Sequence, residues 1–200
     1  MLELRLPPNG MGAKLSYFTT SLTFIGGLSA GFGLLYAFIG IRRTIDRQLN
    51  LVFGLFALAY AGWTIAARAG YLASDVDGLV AAGRATAVFA SLGYLLLVWF
   101  VAVYADVRPR LPAYAVGGSF AVIGLASLAL PDELLVPTAF EVSTTTLPWG
   151  ETVQTLDTPG ATLLPVVFAT QLAFLIYVVW ATVLLSRRGR QRSAVPVSYT

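Results

Sequence analysis

The chain has 200 residues, of which 57% are hydrophobic and 12% charged, with a net charge of +3; a soluble domain carries about twice that share of charge. It holds no cysteine and no histidine, which excludes the usual thiol, zinc and imidazole chemistry and any disulfide framework. Its basic residues stand at the ends of apolar runs rather than along one face, so nucleic acid is not an expected partner.

The first fourteen residues, Met1 to Lys14, are polar and carry Pro and Gly. The apolar run behind them is too long for the core of a cleavable signal peptide, and none is expected. Five apolar runs follow, at about 19–41, 49–72, 79–103, 113–130 and 161–185. Each is near the ~20 residues that cross a ~30 Å hydrocarbon core as a helix. Helix is the expected form, because in lipid every backbone N–H and C=O must be satisfied within the segment. The runs lack the alternation of a β-barrel strand. The predicted fold is therefore an all-α integral membrane bundle of about five transmembrane helices.

The loops give an expected orientation. Arg42, Arg43 and Arg47 follow the first run, Arg108 and Arg110 the third, and Arg187, Arg188, Arg190 and Arg192 the fifth. These alternate loops share one side and hold nine of the thirteen Lys and Arg residues. The other side has Arg5, Lys14, Arg68 and Arg84, together with eight of the ten acidic residues. Basic residues concentrate on the cytoplasmic side, so the N-terminus is expected outside, the C-terminus in the cytoplasm, and the protein in the plasma membrane. Trp99, Tyr104, Tyr114, Tyr17 and Tyr71 fall near the run ends, where aromatic rings favour the headgroup level.

One long connection, 131–160, lies on the expected outer side. Phe140 to Thr146 is rich in strand formers and roughly alternates. Leu147-Pro148-Trp149-Gly150 places Pro and Gly at turn positions, and Thr152 to Leu156 suits a return strand. These segments predict a small extracytoplasmic β-hairpin between the fourth and fifth helices, anchored by Phe140 and Trp149 over the outer end of the bundle.

The candidate site residues are Arg68 and Arg84, near the outer ends of the second and third helices, with Asp75 and Asp77 between them and Trp149 in the lid. A charge near the apolar zone needs a partner or water. Together these side chains suit a small anion or polar ligand at the outer mouth; equally they suit a local Arg–Asp clamp that fixes the helix pair, the more economical reading. Gly27 and Gly31 form a GxxxG with Gly33 after it, and Ala57, Ala61 and Gly62 and then Gly83, Ala87 and Ser91 line up similarly. Small residues allow close helix approach, within one chain in the first instance and in a homodimer as the alternative. Asn50, Thr64, Gln171, Tyr60 and Tyr94 are polar groups suited to interhelical hydrogen bonds or to lining a cavity.

No Asp or Glu lies well inside a run, which argues against a transporter coupled through carboxylates. The only lysine, Lys14, is outside the runs, which excludes a retinal Schiff base. No nucleotide or kinase motif and no metal or cofactor site is present.

The run "FGLLYAFIGIRR" from Phe32 to Arg43, followed by "DRQLNLVFGLFALAYAGWTI", "LLVWFVAVYADVRPR", the outer "LPWGE" of Leu147 to Glu151 and a last span ending "RRGRQR", resembles the N-terminal multi-helix sensory region of bacterial and archaeal membrane signalling proteins, typically sensor histidine kinases or diguanylate cyclases. The resemblance covers nearly the whole chain. It implies a membrane sensory domain over 1–192 that precedes a cytoplasmic signalling domain or partner. Such regions usually have about seven helices and then an effector, so 193–200 is expected to begin a missing segment. With no histidine, no phosphoacceptor exists here, and the resemblance implies no enzymatic activity for this chain.

The resulting expectation is a non-catalytic sensory or signal-transducing module whose partners are the bilayer, a cytoplasmic effector and a second copy. The alternative is a small transporter or channel subunit, which would need a continuous polar path. A lipid-active enzyme is a third reading, and only Asp106, Arg108 and Arg110 offer convergent groups for it.

Overall fold

The computed structural model describes residues 17–43, 46–73, 75–129, 141–146, 148, 152–157 and 164–193. Five long helices account for most of them: α1 Tyr17–Arg42, α2 Arg47–Leu72, α3 Val76–Tyr104, α4 Leu111–Ala129 and α5 Leu164–Ser193. All five are long and apolar enough to cross a membrane. Each of the first four packs on the next in antiparallel succession, and α5 lies against α4 and α3. The end of α1, the start of α2, the end of α3 and the start of α4 therefore meet at one arginine-rich end of the bundle.

Residue sizes are distributed as lipid demands. Alanines fill the interior: Ala57, Ala59, Ala61, Ala66, Ala82, Ala102, Ala105, Ala113 and Ala181 are all buried. Large apolar side chains point outward, among them Phe24, Phe32 and Phe38 on α1 and Phe168, Leu172 and Ile176 on α5. In water that surface would be far beyond what a monomer exposes. In a bilayer the tails solvate it, and helices associate through close packing of small residues instead.

The α1–α2 contact depends on glycines at seven-residue spacing. Gly26, Gly33 and Gly40 are buried, and an added Cβ at each would press on Thr64, on Leu58 and the Gly54 carbonyl, or on Leu51. Gly54 answers from α2, where a Cβ would fall 2.6 Å from the Ala37 backbone nitrogen. The GxxxG pair does not serve this contact: a Cβ at Gly27 or Gly31 would meet nothing within 4 Å. The expected packing role within one chain thus belongs to Gly33 and two glycines in register with it, because the helix turns Gly27 and Gly31 to the open face. On the other helices, Gly62 rests on the Phe89 ring and Ser91 on Gly124, whereas Gly83 meets nothing.

Between α3, α4 and α5 the core is aromatic. Tyr94 stacks on Phe120 at 4.7 Å between ring centroids, and Phe174 meets both edge-on at 5.3 and 6.2 Å. Val98, Ala102, Ala113, Tyr177 and Ala181 continue this cluster.

Helix ends follow local chemistry. The Asp75 side chain caps α3 by accepting from the Gly78 N–H at 2.6 Å, satisfying one of the donors that every helix start leaves free. At the other end of α3, Asp106 takes a left-handed φ of 45°. The Val107 N–H donates to Ala102 at 3.0 Å, and the Asp106 N–H to Val103 at 3.3 Å. This is a Schellman closure with Asp where Gly is usual, and the following Val107 is buried in the core at 1% exposure. The fifth helix outruns its predicted span of 161–185, continuing to Ser193. Arg and Gln are good helix formers, and cations favour a helix C-terminus.

Two short strands, β1 Glu141–Thr146 and β2 Thr152–Asp157, pair antiparallel from Glu141 opposite Asp157 to Thr146 opposite Thr152. The expected anchors Phe140 and Trp149 lie outside the described residues.

Candidate functional site

The sequence directs attention to the end of the bundle where α2 stops and α3 starts. Arg68 is exposed on the last turns of α2, and Arg84 is half-buried two turns into α3. Arg84 donates from Nη1 to the Leu128 carbonyl at 3.5 Å. That carbonyl is one of the last in α4, where the helix dipole presents its negative end. Asp75 is held as the α3 cap, and Asp77 sits exposed in the first turn of α3. Among the described residues neither arginine forms an ion pair with Asp75 or Asp77. Two helix-end contacts are formed here among the described residues, a cation on the C-terminus of α4 and a carboxylate on the N-terminus of α3. Trp149 lies outside the described residues.

The expected interhelical hydrogen bonds also take another form. The buried Thr64 hydroxyl donates to Ala61 of its own helix at 2.8 Å. Thr86, Ser127, Thr170 and Thr182 likewise donate to the carbonyl one turn back. A hydroxyl in lipid satisfies itself most cheaply this way. Tyr94 serves the aromatic core, and Tyr60 stacks on Trp63 at 5.4 Å. Tyr177 is buried at 3% exposure, and its hydroxyl has no hydrogen-bond partner among the described residues. No group of three or more potential metal ligands occurs among the described residues.

A second locus lies at the opposite, arginine-rich end. An open depression of about 680 Å³ is lined by Asp46, Arg47, Gln48 and Leu49 at the start of α2 and by Val103 and Tyr104 at the end of α3. Asp46 takes a left-handed φ of 55°, and its side chain does not cap α2. Tyr104 is 61% exposed and stacks on Phe100 at 5.9 Å. Several arginines at this end are already engaged. Arg42 sits over the Phe38 ring at 5.3 Å, Arg110 over Trp99 at 5.5 Å, and Arg108 pairs with Asp106 at 3.2 Å. Arg47 has no such partner among the described residues. In the sequence Arg47 stands with Arg42 and Arg43 in one basic loop. The signal available was its position beside Tyr104 across two helix ends, which needs the tertiary pairing of α2 with α3.

No family model, curated protein or solved structure matches this chain, so the likeness to sensory membrane regions rests on the residues quoted above.

Proposed function

We propose that this chain is a membrane-embedded signal-transducing module, non-catalytic in itself, that passes a change in helix packing to a cytoplasmic effector. The observation that carries the reading is the continuity of α5. It has 30 helical residues, about 45 Å at 1.5 Å per residue, against a hydrocarbon core of ~30 Å. Its apolar span, Pro165–Arg187, runs on as helix toward Ser193. A rigid rod that is packed on α3 and α4 in the bilayer and leaves it unbroken suits transmission of a rotation or tilt. In this reading the arginine-rich end faces the cytoplasm, and the strand pair with Arg68 and Arg84 lies on the outer side.

The transporter reading has less support. Its requirement is a continuous polar path, whereas the described interior between α3, α4 and α5 is filled by Val98, Phe120, Phe174 and Ala181, and the hydroxyls of Thr64, Thr86, Ser127, Thr170 and Thr182 bond back to their own helices.

The test is a fusion of the full chain ahead of a cytoplasmic histidine-kinase core, with one to four alanines inserted after Arg187. Rotation by ~100° per inserted residue should make kinase output rise and fall with the helical period. Output that changes only with linker length, or not at all, would remove the rigid-rod mechanism.

A further inference from the structure

We infer that the depression between the start of α2 and the end of α3 is a binding site for the phosphate of an anionic membrane lipid. The inference uses the membrane-spanning architecture but not the signalling role, so it stands or falls separately from it.

Depth argues for a lipid rather than a soluble phosphate. Helix α2 has 26 residues and α3 has 29, roughly 39 and 43 Å long. The hydrocarbon core is ~30 Å and the whole bilayer with headgroups ~40–45 Å. The ends of these helices therefore project about one turn past the acyl chains. Arg47 and Tyr104 terminate them at the level where lipid phosphates lie. Half-buried Leu49 and Val103 form the deeper wall, apolar where a glycerol backbone would continue downward, while Arg47, Gln48 and Tyr104 form the exposed rim.

Chemistry argues for an anion. Arg47 offers a planar guanidinium suited to bidentate phosphate contact, Gln48 an amide donor and Tyr104 a hydroxyl donor. Arg47 is the arginine that lines the depression, whereas Arg42, Arg108 and Arg110 are engaged by Phe38, Asp106 and Trp99. Asp46 opposes it: its exposed carboxylate lines the same depression and repels a phosphate. The balance between Arg47 and Asp46 gives variants of opposite sign. Basic clefts between membrane helices are suited to such headgroups.

The experiment is native mass spectrometry of the full chain released from nanodiscs that contain phosphatidylcholine and phosphatidylglycerol, counting retained lipids of each type. Wild type should retain phosphatidylglycerol preferentially. R47Q should reduce that retention about fivefold, the equivalent of ~1 kcal/mol for one basic residue at the surface. D46N keeps a residue that tolerates the left-handed backbone and removes the opposing charge, so it should raise retention. R187Q makes the same charge change on an exposed arginine outside the depression and should leave retention near wild type. An equal loss in R187Q and R47Q would reduce the effect to general surface charge and overturn the site. So would equal retention of phosphatidylcholine, or no rise with D46N. If soluble glycerol phosphate displaces the lipid at equal concentration, the site takes free phosphate and the lipid assignment is wrong.

Discussion

Gly26 on α1 faces Thr64 on α2 with so little space between them that a methyl group on Gly26 would come within 2.5 Å of the Thr64 hydroxyl oxygen. Thr64 is held in place by its bond to the Ala61 carbonyl and is 1% exposed, so it has no room to retreat. The same relation recurs a heptad on, where Gly33 meets Leu58 and Gly54.

Substitution should therefore discriminate sharply between neighbouring glycines. G26A and G54A should destabilise the chain by about 1–3 kcal/mol through overpacking. G27A and G31A, whose Cβ positions are open, should be neutral or gain up to ~1 kcal/mol of helix propensity. Unfolding in mixed micelles measures both sets. Loss of stability in G27A or G31A that depends on protein concentration would instead reveal a homodimer contact through the GxxxG.

Tyr177 should tolerate loss of its hydroxyl. A buried polar group with no partner costs ~1–3 kcal/mol, and the surrounding side chains, Val98, Phe174 and Ala181, are apolar. Y177F should keep or raise the unfolding free energy, whereas Y177A should lower it by ~3 kcal/mol or more through the cavity left behind. A clear loss in Y177F would show that the hydroxyl has found an acceptor in the membrane.

Asp106 holds a left-handed backbone that glycine adopts without a Cβ penalty. Its ion pair with Arg108 is exposed, with the two side chains 65% and 75% accessible, and is worth little. D106G should raise stability by a few tenths of a kcal/mol to ~1 kcal/mol, while V107A should lower it by ~1 kcal/mol or more by emptying the closure of α3. A destabilised D106G would mean that the carboxylate does more than terminate the helix.

Orientation is accessible by cysteine labelling, because the chain has no native cysteine. R108C and T146C both replace exposed side chains. In intact cells an impermeant thiol reagent should label T146C and spare R108C, and permeabilisation should expose R108C. The reverse pattern would place the arginine-rich end outside.

The membrane class, five spans and their approximate limits were legible in the amino-acid sequence, because they depend on apolar run length against bilayer thickness and on backbone groups that must bond within their own segment. The α3 cap at Asp75 was hidden in the same residues, read there as an ion-pair partner for Arg68 and Arg84, since a carboxylate beside a helix start serves either role until the backbone places Gly78 against it. Only tertiary structure could decide which glycines touch a neighbour. Gly26, Gly27, Gly31 and Gly33 are equivalent in composition, and their difference is the rotation of α1 about its axis, fixed by the shape of α2. The depression beside Arg47 likewise depended on bringing the start of α2 next to the end of α3, more than fifty residues apart in sequence. Span formation is a property of each segment against lipid. Packing faces and sites are properties of pairs of segments, and local sequence carries no term for the partner.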